Sequence, residues 1–100
     1  MRRLNQNQRA WLRSKAHHLQ PVVQVGKNGL TEQVQYMVEQ ALDAHELIKI
    51  KFMDFRDQKR ELSEQMADAA GGELITIIGN IAVVYRENAN PDKRKLVLPA

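Results

Sequence analysis

The sequence predicts a small two-layer α+β domain, with three helices and a four-stranded mixed sheet in the order helix, strand, helix, strand, helix, strand, strand. Three observations carry this. Apolar residues recur at helical spacing in three segments, and four short β-rich or alternating runs lie between and after them. Glycines punctuate the changes of period, at Gly26 and Gly29, at Gly71-Gly72 and at Gly79. A chain of 100 residues that is 43% hydrophobic and 27% charged has the composition of one globular domain.

The first helix is capped by Asn5 and runs to about His18. Gln8, three residues past the cap, completes a capping box. Leu12, Ala16 and Leu19 form its apolar stripe with Trp11 beside them, and Pro21 ends it. Val22 to Val25 reads as a short strand. Thr31 then caps the clearest helix of the chain, which ends near His45. Glu32 stands in its first turn, and Leu30, Val34, Met37, Val38, Ala41 and Leu42 supply the stripe.

Leu47 to Met53 alternates, with Ile48, Ile50 and Phe52 on one face and Lys49 and Lys51 on the other. Asp54 or Asp57 is positioned to cap a third helix with Leu62, Met66, Ala69 and Ala70 buried, closed by Gly71-Gly72. Leu74 to Ile78 and Ile81 to Tyr85 form a hairpin through Gly79-Asn80. Asn90-Pro91-Asp92 is a turn, and Leu96-Val97-Leu98 forms a short edge segment behind the basic Lys93-Arg94-Lys95.

The composition excludes several classes. Without cysteine there is no disulfide framework and no thiolate chemistry, which fits a reducing cytoplasm. No apolar run reaches the length of a membrane span. The basic N-terminus has no apolar stretch behind it, so it does not read as a secretory signal. It is rich in Gln and Asn rather than Ser, which disfavours an organellar transit peptide.

Charge is strongly segregated. Through Thr31 the chain carries Arg2, Arg3, Arg9, Arg13, Lys15 and Lys27 and no acid, a net +6. The remainder holds nine bases and twelve acids, a net −3. That asymmetry points to a polyanionic partner more than the overall +3 does.

Gly26-Lys27-Asn28-Gly29 lies where this basic region meets the second helix. Most Gly-x-x-Gly strings are ordinary turns. This one joins a strand to a helix N-terminus, where free N–H groups and the positive end of the macrodipole favour an anion. The glycines let a sugar-phosphate chain approach, and Lys27 adds a charge at the tip. KH domains clamp a single strand with a loop of this pattern. The candidate RNA-binding residues are Gly26, Lys27, Asn28, Gly29 and Thr31. Arg9, Arg13, Lys15, Lys49, Lys51 and Arg86 are candidates for the surrounding field.

Other chemistries lack their residues. His17, His18 and His45 have neither the spacing nor the partners of a zinc site, so no metal or cofactor is expected. Lys27 is followed by Asn28, so the loop is not a Walker motif, and no catalytic triad or carboxylate pair stands out. The aromatic strings of an RRM are missing. Trp11 and Tyr85 read as packing residues rather than base-stacking ones, with the Tyr85 hydroxyl reaching water.

The residues that match a known family are Val25-Gly26-Lys27-Asn28-Gly29-Leu30-Thr31, Ala41-Leu42, His45-Glu46-Leu47-Ile48-Lys49-Ile50-Lys51, Ile78-Gly79 and Val84-Tyr85-Arg86. Over about residues 4 to 98 the chain resembles the CRM domain (chloroplast RNA splicing and ribosome maturation) in its bacterial single-domain YhbY type. The resemblance implies an RNA-binding fold similar to the C-terminal domain of bacterial translation initiation factor three. It also implies contact with RNA through the glycine loop. Bacterial members of this type look like assembly factors of the large ribosomal subunit, and plant relatives are implicated in group II intron splicing. One departure is Asn80, where family members often carry a Lys after the hairpin glycine.

The expectation is therefore a non-catalytic, monomeric, cytoplasmic RNA-binding protein acting on rRNA in the precursor of the large (50S) subunit. No membrane and no small-molecule substrate are expected. The alternatives are a protein–protein adaptor in translation, an intron-splicing factor, or a small phosphate-handling enzyme.

Overall fold

The alternating apolar runs assemble one sheet in the computed structural model, which describes residues 3–100 and so leaves Arg2 outside. The elements are α1 (Gln6–Ala16), β1 (Val23–Val25), α2 (Glu32–His45), β2 (Leu47–Phe52), α3 (Lys59–Ala70), β3 (Glu73–Ile78) and β4 (Ile81–Tyr85). The sheet order is β1-β2-β4-β3. β1 runs parallel to β2 with Val25 opposite Phe52, while β4 is antiparallel to both β2 and β3. The three helices, the four-stranded mixed sheet and their order along the chain are those expected.

Period-two alternation divides the strand residues between two cores. Val23, Val25, Ile48, Ile50, Phe52, Ala82 and Val84 pack with Val38 and Leu42 of α2 and with Met66, Ala67 and Ala70 of α3. Leu47, Ile75, Val83 and Tyr85 point to the other face and pack with Leu12 and Ala16 of α1. Each large side chain so buried contributes roughly 1.5–3 kcal/mol. The layering is therefore fuller than a two-layer domain, because α1 lies across the sheet's second face. The alternation in β2 makes that face basic at Lys49 and Lys51, but Leu47, Val83 and Tyr85 share it and bury the α1 stripe. A bulge between Leu74 and Thr76 adds one residue to β3, so Leu74 and Ile77, three positions apart, both serve the first core while Ile75 serves the second.

The helix ends follow their caps. Asn5 Oδ1 accepts from the Gln8 N–H at 2.8 Å and Gln8 Oε1 accepts from the Asn5 N–H at 3.0 Å, completing the capping box. The Thr31 hydroxyl accepts from the Val34 N–H at 3.1 Å. Several boundaries differ from expectation. α1 ends at Ala16, and His17 and His18 form a turn. α3 begins after Gln58 with no side-chain cap, because a 3₁₀ turn at Arg56–Gln58 leads into it and Asp54 caps the Phe55 N–H instead. The buried residues of α3 are Ser63, Met66, Ala67 and Ala70, whereas Ala69 faces solvent. Met37 is also exposed. Leu96-Val97-Leu98 forms no strand; Leu96 and Leu98 pack on the α1 core and Val97 points outward.

The end of the sheet where β2 begins is held by a buried carboxylate. Glu46 is fully buried at φ 64°, and its side chain accepts from the N–H groups of Asn88 and Lys95, both at 2.6 Å, and of Leu96 at 3.1 Å. Its carbonyl accepts from the Arg86 N–H at 2.8 Å. This one residue ends α2, starts β2 and ties down the segment after β4. Tyr85 lies close by with its hydroxyl buried and without a hydrogen-bond partner among the described residues, not in water as the sequence suggested. Burial, then the charges of Glu46 and Glu87, push its phenol up to about 12, against an opposing pull from Arg94.

Candidate nucleic-acid interface

The strand directions gather three connections at one end of the sheet. β1 and β2 finish there, β3 finishes there, and β4 starts there. The connections are the glycine loop (residues 26–29), the β2–α3 segment (residues 53–58) and the Gly79-Asn80 hairpin. α2 and α3 both begin at this end, so two helix N-termini face the same side.

The glycine loop is a tight turn closed by the Gly29 N–H donating to the Gly26 carbonyl at 3.0 Å. Gly26, Lys27 and Asn28 are exposed, while Gly29 is buried beneath them. The two glycines differ in what the fold asks of them. A Cβ on Gly26 would meet nothing within 4 Å. Gly29 sits at φ 70°, and a Cβ there would meet the Phe55 ring at 3.3 Å.

The β2–α3 segment is laced to this loop. The N–H groups of Met53 and Asp54 donate to the Val25 carbonyl at 2.9 and 3.3 Å, immediately before Gly26. The hairpin is joined to both neighbours. The Asn80 carbonyl accepts from the Phe52 N–H at 2.7 Å. The Lys59 ammonium donates to the Gly79 carbonyl at 2.7 Å and lies 3.4 Å from Asn80 Oδ1. The hairpin tip lacks a lysine of its own, and α3 delivers one to it.

Of the candidate residues, Gly26, Lys27, Asn28, Gly29 and Thr31 share this end. Lys51 is exposed near the C-terminal end of β2, in a cross-strand row with Gln24 and Ile81. The others serve the fold or lie elsewhere. Arg9 pairs with Glu73 at 3.0 Å and donates to the Leu74 and Ile75 carbonyls of β3 at 2.9 and 3.0 Å. Arg86, at the opposite end of the sheet, bridges the Ala70 and Glu39 carbonyls and pairs with Asp43. Lys49 donates to the Leu19 carbonyl at 3.0 Å. Lys15 lies over the Trp11 ring at 5.2 Å, and Trp11 packs on the α1 core. Arg13 is exposed on α1. Among the described residues no three His, Asp or Glu side chains are grouped as metal ligands.

Sequence reasoning missed Phe55 and Lys59. A lone aromatic between Asp54 and Arg56, in an otherwise polar stretch, was the available signal for the first. Nothing local marks the second, because its role depends on a hairpin twenty residues away.

The glycine turn, two helix N-termini and the lysines Lys27, Lys51 and Lys59 thus share one end of a small α+β domain. The chain belongs to the CRS1/YhbY (CRM) domain family, whose model matches residues 4–86. It is 43% identical over 91 residues to a protein of Pseudomonas aeruginosa named as a probable RNA-binding protein, covering 90% of this chain and 88% of that one. It is 35% identical over 97 residues to YqeI of Bacillus subtilis, named likewise, covering 96% of this chain and 99% of that one. The solution structure of a Staphylococcus aureus protein described as a candidate RNA binder superposes with a TM-score of 0.77 at 35% identity. That match covers 95% of this chain and all of the other.

Proposed function

We propose that this chain is a non-catalytic RNA-binding protein that holds an RNA backbone against its glycine loop. The carrying observation is Gly26, exposed with nothing near its missing Cβ, beside the exposed Lys27 and ahead of the α2 N-terminus. The interior makes no demand for glycine there, so the open backbone serves an outside partner. Lys27 and the first N–H groups of α2 hold phosphate, and Lys51 and Lys59 extend the positive field across the sheet end. The names of the relatives support RNA as that partner. Ribosomal RNA of the large-subunit precursor, met by a monomer in the cytoplasm, is the specific reading we favour.

Lys27→Glu tests this. It is expected to weaken binding to a single-stranded RNA about ten-fold at moderate salt and to reduce the salt slope by about one contact. The thermal midpoint should stay unchanged, since Lys27 is exposed. Unaltered binding in a salt-matched titration removes the loop from the mechanism. Co-sedimentation with large-subunit precursors from cells, lost on nuclease treatment of isolated complexes, tests the ribosomal reading. Retention after RNA digestion would favour a protein adaptor instead.

A further inference from the structure

The geometry points to Phe55 as a stacking platform for a nucleobase of the RNA strand whose backbone the glycine loop holds. This inference rests on the loop reading above and extends it from phosphate to base. Phe55 adopts φ 54°, ψ 36°, a left-handed conformation that costs an aromatic residue and persists only where surroundings impose it. The surroundings are plain: Asp54 Oδ1 accepts from the Phe55 N–H at 2.7 Å, the Phe55 carbonyl accepts from the Gln58 N–H at 3.0 Å, and residues 53 and 54 are tied to Val25.

The ring lies outside both cores. Phe55 belongs to neither core, and 37% of it is exposed. One edge of the ring, Cδ2–Cε2–Cζ, lies 3.3–3.7 Å from the Cβ position that Gly29 leaves vacant. The ring is thus fixed against the loop while much of its surface stays open, with Met53 exposed beside it.

Charge separates base from phosphate. The hollow beside the ring, about 480 Å³, is lined by residues 53–58 and carries Asp54 and Asp57 against a single Arg56. Such a hollow repels a phosphate. An uncharged base face suits it, and stacking on an aromatic ring tolerates any base. Lys27 and the α2 terminus hold the backbone on one side of Gly29, and Phe55 receives a base on the other.

The test titrates the full chain with a short fluorescein-labelled oligoadenylate and with an oligomer of equal length lacking bases. The unaltered chain is expected to prefer the oligoadenylate by about ten-fold. Phe55→Leu should erase most of that preference while leaving the salt slope intact. Lys27→Glu should weaken both oligomers and preserve the preference. In a Trp11→Phe background, Phe55→Trp places an indole in the platform, and its emission should be quenched on adding oligoadenylate. A Phe55→Leu protein that keeps the full base preference, or an unquenched indole, overturns the platform and leaves the loop clamp standing. If the unaltered chain does not bind oligoadenylate, or Lys27→Glu has no effect, the clamp fails and the platform with it.

Discussion

Gly26 and Gly29 look equivalent as letters and are opposite as structural positions. Gly29→Ala forces a left-handed residue to carry a side chain and drives a methyl into the Phe55 ring, so it should destabilise by about 1 kcal/mol or more. Gly26→Ala meets open space and should leave stability within about 0.5 kcal/mol of the parent. Urea midpoints of the two variants check this, and equal losses would contradict it. The motif was legible from spacing alone. The division of labour within it was not, because it depends on a ring twenty-six positions later. The same limit explains Arg9, Lys49 and Arg86, whose charges the sequence shows. Their carbonyl and carboxylate partners become visible only when distant elements meet.

Among elements, the helices and strands were legible because period and punctuation agree along most of the chain. The failures cluster where long-range packing decides. α1 was readable as a helix, but its seat on the second sheet face required Leu47, Val83 and Tyr85 to be seen together. The tail after β4 reads as a short edge segment and is held instead by Glu46. Glu46→Gln replaces one acceptor oxygen with a donor facing buried N–H groups. It should cost about 2–3 kcal/mol. Hydrogen exchange at Lys95 and Leu96 should accelerate before exchange in β2 does, and a tail that stays protected would refute the clasp.

The whole molecule has two unlike ends, one with open connections and one closed around Glu46 and Arg86. Tyr85 is part of the closed end and makes global stability depend on alkaline pH. Its folded pKa of about 12 lies above the unfolded value of 10. Ionising the phenol in the folded state therefore costs nothing below pH 10 and destabilises the fold as pH rises toward 12, by up to about 3 kcal/mol. Tyr85→Phe deletes this loss. At neutral pH it should be neutral or slightly stabilising, since the hydroxyl has no partner to give up. Urea titrations of both proteins at neutral and at strongly alkaline pH should therefore diverge only in the alkaline range; parallel curves would show that the phenol is not the source.

β3 is an outer strand, and outer strands are where separate copies of a chain recruit one another into fibrils. Arg9 occupies two of its carbonyls at the bulge, and the bulge itself breaks the straight register a recruiting strand would need. Arg9, a candidate for the field around a ligand, thus covers part of the outer edge of the sheet, an arrangement that disfavours pairing of β3 with a second copy.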